Sequence, residues 1–230
     1  MSTFVLVHGG FVGGWYWGEV TKRLEKDGHL VDVVEQLPSC GPDPTALGDL
    51  AADAAAVRKH IESAGEPVVL VGHSYSGMVI TELADHPGVA HSVYLAAAMP
   101  SLGQSLMDLM SMPGMPPATW LAPHDDGTLR VTDDLELLRQ VLCADVDRKP
   151  AEIYMRRMVP LSISAAAAPS SAPDRGHPAS YIITENDEAL PAAVQEQVAP
   201  VADHVERISS SHSPMISAPD ELAGILGRVR

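Results

Sequence analysis

Short runs of consecutive apolar residues alternate along this chain with longer stretches in which apolar side chains recur every three or four positions. Phe4-Val5-Leu6-Val7, His29 to Val34, Pro67 to Val71, Gly88 to Leu95, Ala179 to Thr184 and His204 to Ile208 read as strands. The uninterrupted apolar run Pro67 to Val71 has the pattern of a buried strand. Between them the helical period places Trp17, Val20 and Leu24 on one face of a helix over 15–26. Asp43-Pro44 reads as the cap and first residue of a second helix, with Leu47, Leu50, Ala54, Val57 and Ile61 on its stripe up to Ser63. Met78 opens a third helix, residues 191–198 form a fourth, and a closing helix buries Leu222, Ile225 and Leu226 behind a capping box of Ser217 and Asp220. The alternation predicts an α/β fold: a mostly parallel sheet with helices on both faces.

That regularity stops between residues 101 and 178. Clustered prolines, many methionines and two short helical patterns predict an inserted cap there, leaving 1–100 and 179–230 as the core. A chain of 230 residues buries one substantial core, so a single domain with an insertion is expected. With 46% hydrophobic and 20% charged residues the composition is that of a globular protein, not a disordered one. The net charge of -15 argues against a nucleic-acid partner. No basic leader or long apolar segment precedes the first strand, so neither a membrane partner nor secretion is expected, and the reading is cytoplasmic. Cys40 and Cys143 lack metal or redox spacing and read as buried free thiols.

The chemistry concentrates at Gly72-His73-Ser74-Tyr75-Ser76-Gly77, which follows an apolar strand and precedes a helix. A sharp strand-to-helix turn exposes the Ser74 hydroxyl, and only small flanking residues permit such a turn; Ser76 stands where G-x-S-x-G has its second glycine. A serine there needs a base, an orienting acid and donors for an oxyanion. His212 follows the last strand in a short polar loop and is the candidate base. Asp187 follows the strand ending at Thr184 and is the preferred acid over its neighbours Glu185 and Glu188. The chain order is therefore serine, acid, histidine. His8-Gly9-Gly10-Phe11 follows the first strand, and the amides of Gly10 and Tyr75 are the candidate oxyanion donors.

At these residues the chain resembles the α/β-hydrolase superfamily, and more narrowly the compact group of plant methyl esterases and hydroxynitrile lyases. Phe4 to Gly10, Gly14 to Trp17, Leu37 to Pro44, the serine turn, Tyr94 to Pro100 and Leu142 to Asp145 carry the likeness. The resemblance implies a triad of Ser74, Asp187 and His212 with Gly10 and Tyr75 as oxyanion residues. Its lyase branch has a lysine after the catalytic histidine, where this chain has Ser213. Cyanohydrin cleavage is thereby disfavoured, and a serine hydrolase acting on a small or medium hydrophobic ester, with a methyl ester as one candidate, is the expectation. Other carbonyl chemistry, a lactonase, or a hydrolase-like small-molecule receptor are the rival readings. No cofactor or metal is required, and a homodimer is the default assembly.

The remaining candidates divide less sharply. His8 and His73 read as packed histidines that shape the glycine-rich turns, and His177 as a surface residue. Met107, Met110, Met112, Met115, Met155 and Met158 either fill a small helical core or, with Trp120 and Leu121, line a soft apolar substrate pocket.

Overall fold

The computed structural model describes residues 1–229. From strand β1 (Thr3–Val7) a 3₁₀ turn at Gly14–Trp17 leads into helix α1 (Gly18–Lys26) and strand β2 (Leu30–Val34). Helix α2 (Leu50–Ser63), strand β3 (Val68–His73), helix α3 (Ser76–Thr81) and strand β4 (Val89–Leu95) follow. Residues 101–178 contain helix α4 (Leu106–Leu109), strands β5 (Leu121–Pro123) and β6 (Thr128–Val131), helices α5 (Leu135–Leu142) and α6 (Arg148–Met155), strand β7 (Leu161–Ser162) and helix α7 (Ile163–Ala167). The chain closes with strand β8 (Ala179–Thr184), helix α8 (Ala192–Val198), strand β9 (His204–Ile208) and helices α9 (Pro214–Ser217) and α10 (Pro219–Leu226).

Six strands pair in the order β2-β1-β3-β4-β8-β9, every pair parallel. The two-residue period of each strand divides its side chains between two cores. Phe4, Leu6, Val69, Val71, Val93, Leu95 and Ile182 face α1 and α10, packing on Trp17, Val20, Leu24, Leu222, Ile225 and Leu226. Val5, Val7, Leu70, Tyr94, Tyr181 and Ile183 face the opposite way, onto Ala54, Val57 and Ile61 of α2 and Met78 and Val79 of α3. Because all six strands run the same way, the loops after β1, β3, β8 and β9 emerge at one edge of the sheet.

Three expectations about element ends are corrected. Asp43 caps only a 3₁₀ turn, Pro44–Ala46, and Leu47 is extended (φ −72°, ψ 135°), so it lies outside α2. The helix starts at Leu50, where the Asp49 side chain accepts from the Ala52 N–H at 2.9 Å. Ser217 and Asp220 do not form a capping box: Ala218 (φ −135°) separates α9 from α10 and no side chain caps α10. Ser217 instead hydrogen-bonds Ser210 Oγ at 2.7 Å, and Asp220 pairs with Arg23 of α1. The first turn of the 15–26 helix is 3₁₀ rather than α.

The segment 101–178 holds four short helices instead of two, and also an antiparallel sheet, β5-β6-β7. Strands of two to four residues are too short to show a period-2 signal in sequence. Backbone bonds fasten this segment to the core, among them Val159 N–H to Phe11 O (2.8 Å), Gly41 N–H to Pro160 O (3.1 Å), Ser162 N–H to Ser39 O (2.8 Å) and Gly176 N–H to Ala84 O (3.1 Å). Cys40 and Cys143 are buried free thiols, and burial pushes each up to about 12. No helix among the described residues is long and apolar enough to cross a membrane.

Candidate active site

Ser74 sits at the apex between β3 and α3 with φ 55°, a left-handed conformation unfavourable for a non-glycine residue. The surroundings hold it there. A Cβ on Gly72 would lie 2.9 Å from both Ile80 Cδ1 and the Ser76 carbonyl oxygen, and one on Gly77 would lie 1.8 Å from the Ala98 carbonyl oxygen. Ser76, fully buried, donates to the carbonyls of Val7 (3.0 Å) and His73 (2.9 Å), joining the turn to the end of β1. A glycine there would lack both contacts, which accounts for serine at this place in the motif.

The sequence-selected side chains converge on this apex. Ser74 Oγ lies 3.0 Å from His212 Nε2, and His212 Nδ1 lies 2.7 Å from Asp187 Oδ2. With Nδ1–H donated to the carboxylate, Nε2 is left as the acceptor for the serine proton. Asp187 is buried, whereas Glu185 and Glu188 are exposed. Its carboxylate also accepts from Thr184 Oγ1 (2.8 Å), Gln195 Nε2 (3.2 Å) and the N–H groups of Ala189 and Leu190 (both 2.8 Å). Five donors thus satisfy a buried carboxylate with no neighbouring cation. Gln195 was not legible as a site residue; one side chain on α8 answers to partners in the loop after β8, and no local pattern signals that.

Gly10 and Tyr75 adjoin each other beside Ser74: a Cβ on Gly10 would stand 3.5 Å from Tyr75 Cβ. Among the described residues neither amide N–H donates to a backbone carbonyl. The Tyr75 hydroxyl donates to Asp53 Oδ2 at 2.6 Å, and the Ser39 N–H to Asp53 Oδ1 at 2.8 Å. Burial raises the Asp53 carboxyl above its ordinary range, opposed by these bonds.

Two further histidines support the turns. His8 donates from Nδ1 to the Gly9 carbonyl (2.8 Å) and accepts the Leu37 N–H on Nε2 (3.0 Å), so only its neutral form satisfies both bonds. Burial lowers it to about 4. His73 donates from Nε2 to the His212 carbonyl at 2.8 Å, with the two rings 4.8 Å apart. Burial, and then the neighbouring His212, hold it well below the ordinary imidazole range. His177, expected at the surface, is half-buried with its Nε2 2.7 Å from Ser92 Oγ.

A cavity of about 110 Å³ opens above Ser74. Trp120, Leu121 and Met110 line it, with Leu106, Leu109, Met115 and Met158, and among the described residues no Asp, Glu, Lys or Arg side chain reaches it. Met107 and Met155 do not. Met107 packs on the sheet core, and Met155 is buried with Leu138, Leu142, Cys143 and Ala151. The methionines therefore split between wall and filler, because α6 turns Met155 toward α5 and away from the serine.

A family model described as the alpha/beta hydrolase family matches residues 4–225. The chain belongs to that family. Among the chain's relatives, methylesterase 1 of Arabidopsis thaliana is 27% identical over 96% of the chain and 92% of the relative. The carbendazim hydrolyzing esterase of a Nocardioides species is 37% identical, over 48% of each chain. Two longer Arabidopsis relatives are spanned only to 62% and 55% of their length. Among solved structures, a pyrethroid hydrolase from Sphingobium faniae JZ-2 superposes with a TM-score of 0.83 at 26% identity, covering 98% of this chain and 96% of that chain.

Proposed function

We propose that the protein is a cofactor-independent serine hydrolase that cleaves a small or medium hydrophobic carboxylic ester, a methyl ester being the first candidate. One observation carries the reading: Ser74 Oγ, His212 and Asp187 stand in hydrogen-bonded series at the mouth of an uncharged cavity. His212 Nε2 takes the proton of Ser74 as the oxygen attacks the ester carbonyl, and Asp187 stabilises the imidazolium that forms. The amides of Gly10 and Tyr75 receive the oxyanion. The proton on His212 passes to the departing alcohol, leaving an acyl-enzyme. Water deprotonated by His212 then releases the acid and restores Ser74.

The apolar wall favours an uncharged acyl part, because a charged one loses hydration there without gaining a partner. Names among the relatives, methylesterase and esterase, support the ester as the scissile group. At the place where the lyase branch has its lysine, Ser213 is fully buried and its hydroxyl is 2.7 Å from the Tyr16 hydroxyl, so no cation awaits a leaving cyanide. Residues 101–178 act as the cap that excludes bulk water. The test is labelling by a serine-directed phosphonate, compared between wild type and Ser74→Ala, followed by a panel of methyl and longer esters. Labelling of the wild type alone, with repeated turnover, is the expected result; a wild type that stays unlabelled overturns the reading.

A further inference from the structure

Beyond the Asp187 contact, side chains from several other parts of the chain hold the loop that carries His212. His73, from the serine turn, donates to the His212 carbonyl. Tyr16, from the turn after β1, shares a hydrogen bond with Ser213. On the other side of the base, the partner comes from the inserted segment. Asp145, in the turn between α5 and α6, accepts the Ser211 N–H on Oδ2 at 2.9 Å and the Ser211 hydroxyl on Oδ1. Ser211 is 1% exposed, so without Asp145 its N–H would be a buried donor lacking a strong acceptor.

The turn that presents Asp145 is itself braced. Arg139 Nη1 donates to the carbonyls of Ala144 (3.0 Å) and Val146 (3.2 Å), and the Val146 N–H closes on Cys143 O at 3.0 Å. Leu142, just before this turn, lines the cavity above Ser74, and its carbonyl is 3.4 Å from Ser211 Oγ. One short stretch, 142–145, therefore supplies both a piece of the substrate wall and the acceptor that fixes the residue beside the base.

We propose that Asp145 is a positioning residue for His212, which makes the alignment of the base conditional on the inserted segment being seated on the core. The inference rests on the triad reading above. Removing the acceptor releases Ser211, the residue beside the base, while the Asp187 contact and the bond from the Asn186 N–H to Ser210 O (3.0 Å) remain, and a displacement of about 1 Å at a reacting group costs on the order of 10²-fold in rate.

Steady-state kinetics on the preferred ester and the phosphonate labelling rate test this in Asp145→Ala, Asp145→Asn, Ser211→Ala and the double variant Asp145→Ala/Ser211→Ala. Asp145→Ala is expected to lower kcat and the labelling rate by roughly 10- to 100-fold while KM moves less than about 3-fold. Asp145→Asn keeps one oxygen acceptor and should recover part of the loss; Ser211→Ala keeps the backbone bond and should lose only a few-fold. The double variant should match Asp145→Ala, since both changes remove one interaction. Glu152→Gln, which breaks an ion pair with Arg148 on α6, is the control for disturbing the inserted segment and should leave kcat unchanged. If Asp145→Ala does not fold, the ranking wild type, Ser211→Ala, Asp145→Asn in kcat decides. A labelled, active wild type whose Asp145 variants keep full kcat, or lose only through KM, overturns the proposal. An unlabelled wild type instead overturns the triad.

Discussion

In the six-stranded core, β1, β3 and β8 are buried along their whole length and almost every apolar side chain fills one of two packed layers. In residues 101–178 the elements are short, most residues are half-buried or exposed, and several apolar side chains border a cavity. The difference is one of task. The inner strands lie between helical layers, so packing density decides their sequence, while the edge strands β2 and β9 keep exposed positions. The inserted segment must leave room above Ser74, and an apolar side chain there gains less from its protein neighbours than it gains when a ligand covers it.

Activity should separate the regions most sharply. Ser74→Ala at the sheet edge is expected to lower ester turnover by about 10⁴-fold or more with the melting temperature little changed, as read by initial rates and calorimetry. A wild-type level of turnover would move the chemistry elsewhere.

A single methyl group comes next. Gly77→Ala drives its Cβ to 1.8 Å from the Ala98 carbonyl oxygen and should cost roughly 3 kcal/mol or more of stability, or prevent folding. Gly176→Ala in the inserted segment meets nothing within 4 Å and should stay within about 0.5 kcal/mol. Equal denaturant midpoints for the two would break the contrast.

The core also carries a pH dependence, centred on His8. The unfolded chain protonates His8 below about 6.5, the native chain only below about 4. The native state therefore binds fewer protons in that window, and stability is lost as pH falls through it. The full cost is roughly 3 kcal/mol, with none above the window. His73, and His177 of the inserted segment, which burial lowers to about 4, act in the same direction, and the raised Asp53 carboxyl opposes them. Comparing urea midpoints at about pH 7.5 and about pH 4.5 isolates the effect: wild type should lose more than His8→Gln. Finally, Trp120→Ala should reduce kcat/KM for a bulky apolar ester by about 10-fold, with a smaller loss for a methyl ester and a modest change in stability.

The parts that were legible in sequence are those whose signal is local. Phe4-Val5-Leu6-Val7 and Val68-Val69-Leu70-Val71 announce doubly covered strands, and the Ser74 turn announces itself by its small flanks. His212 and Asp187 were found because each follows a strand in the order the parallel sheet requires. The start of α2 was misplaced because Asp43-Pro44 and Asp49 both resemble caps, and the extended backbone at Leu47 decides between them. The β5-β6-β7 sheet was missed because its strands are held by pairing rather than by pattern. Gln195 and Asp145 were invisible as support for the site because their partners lie 8 and 66 residues away.

Order along the chain, the choice of the side chains proposed to react and the two-faced burial of the inner strands are consequences of which residues follow which, since backbone period and turn chemistry act over a few positions. What brings Ser74, Asp187 and His212 within hydrogen-bond reach, and sends Met110 to the cavity wall and Met155 into a core, is the closing of elements distant in sequence upon one another. Those distances depend on packing summed over the whole molecule, and no local stretch contains them.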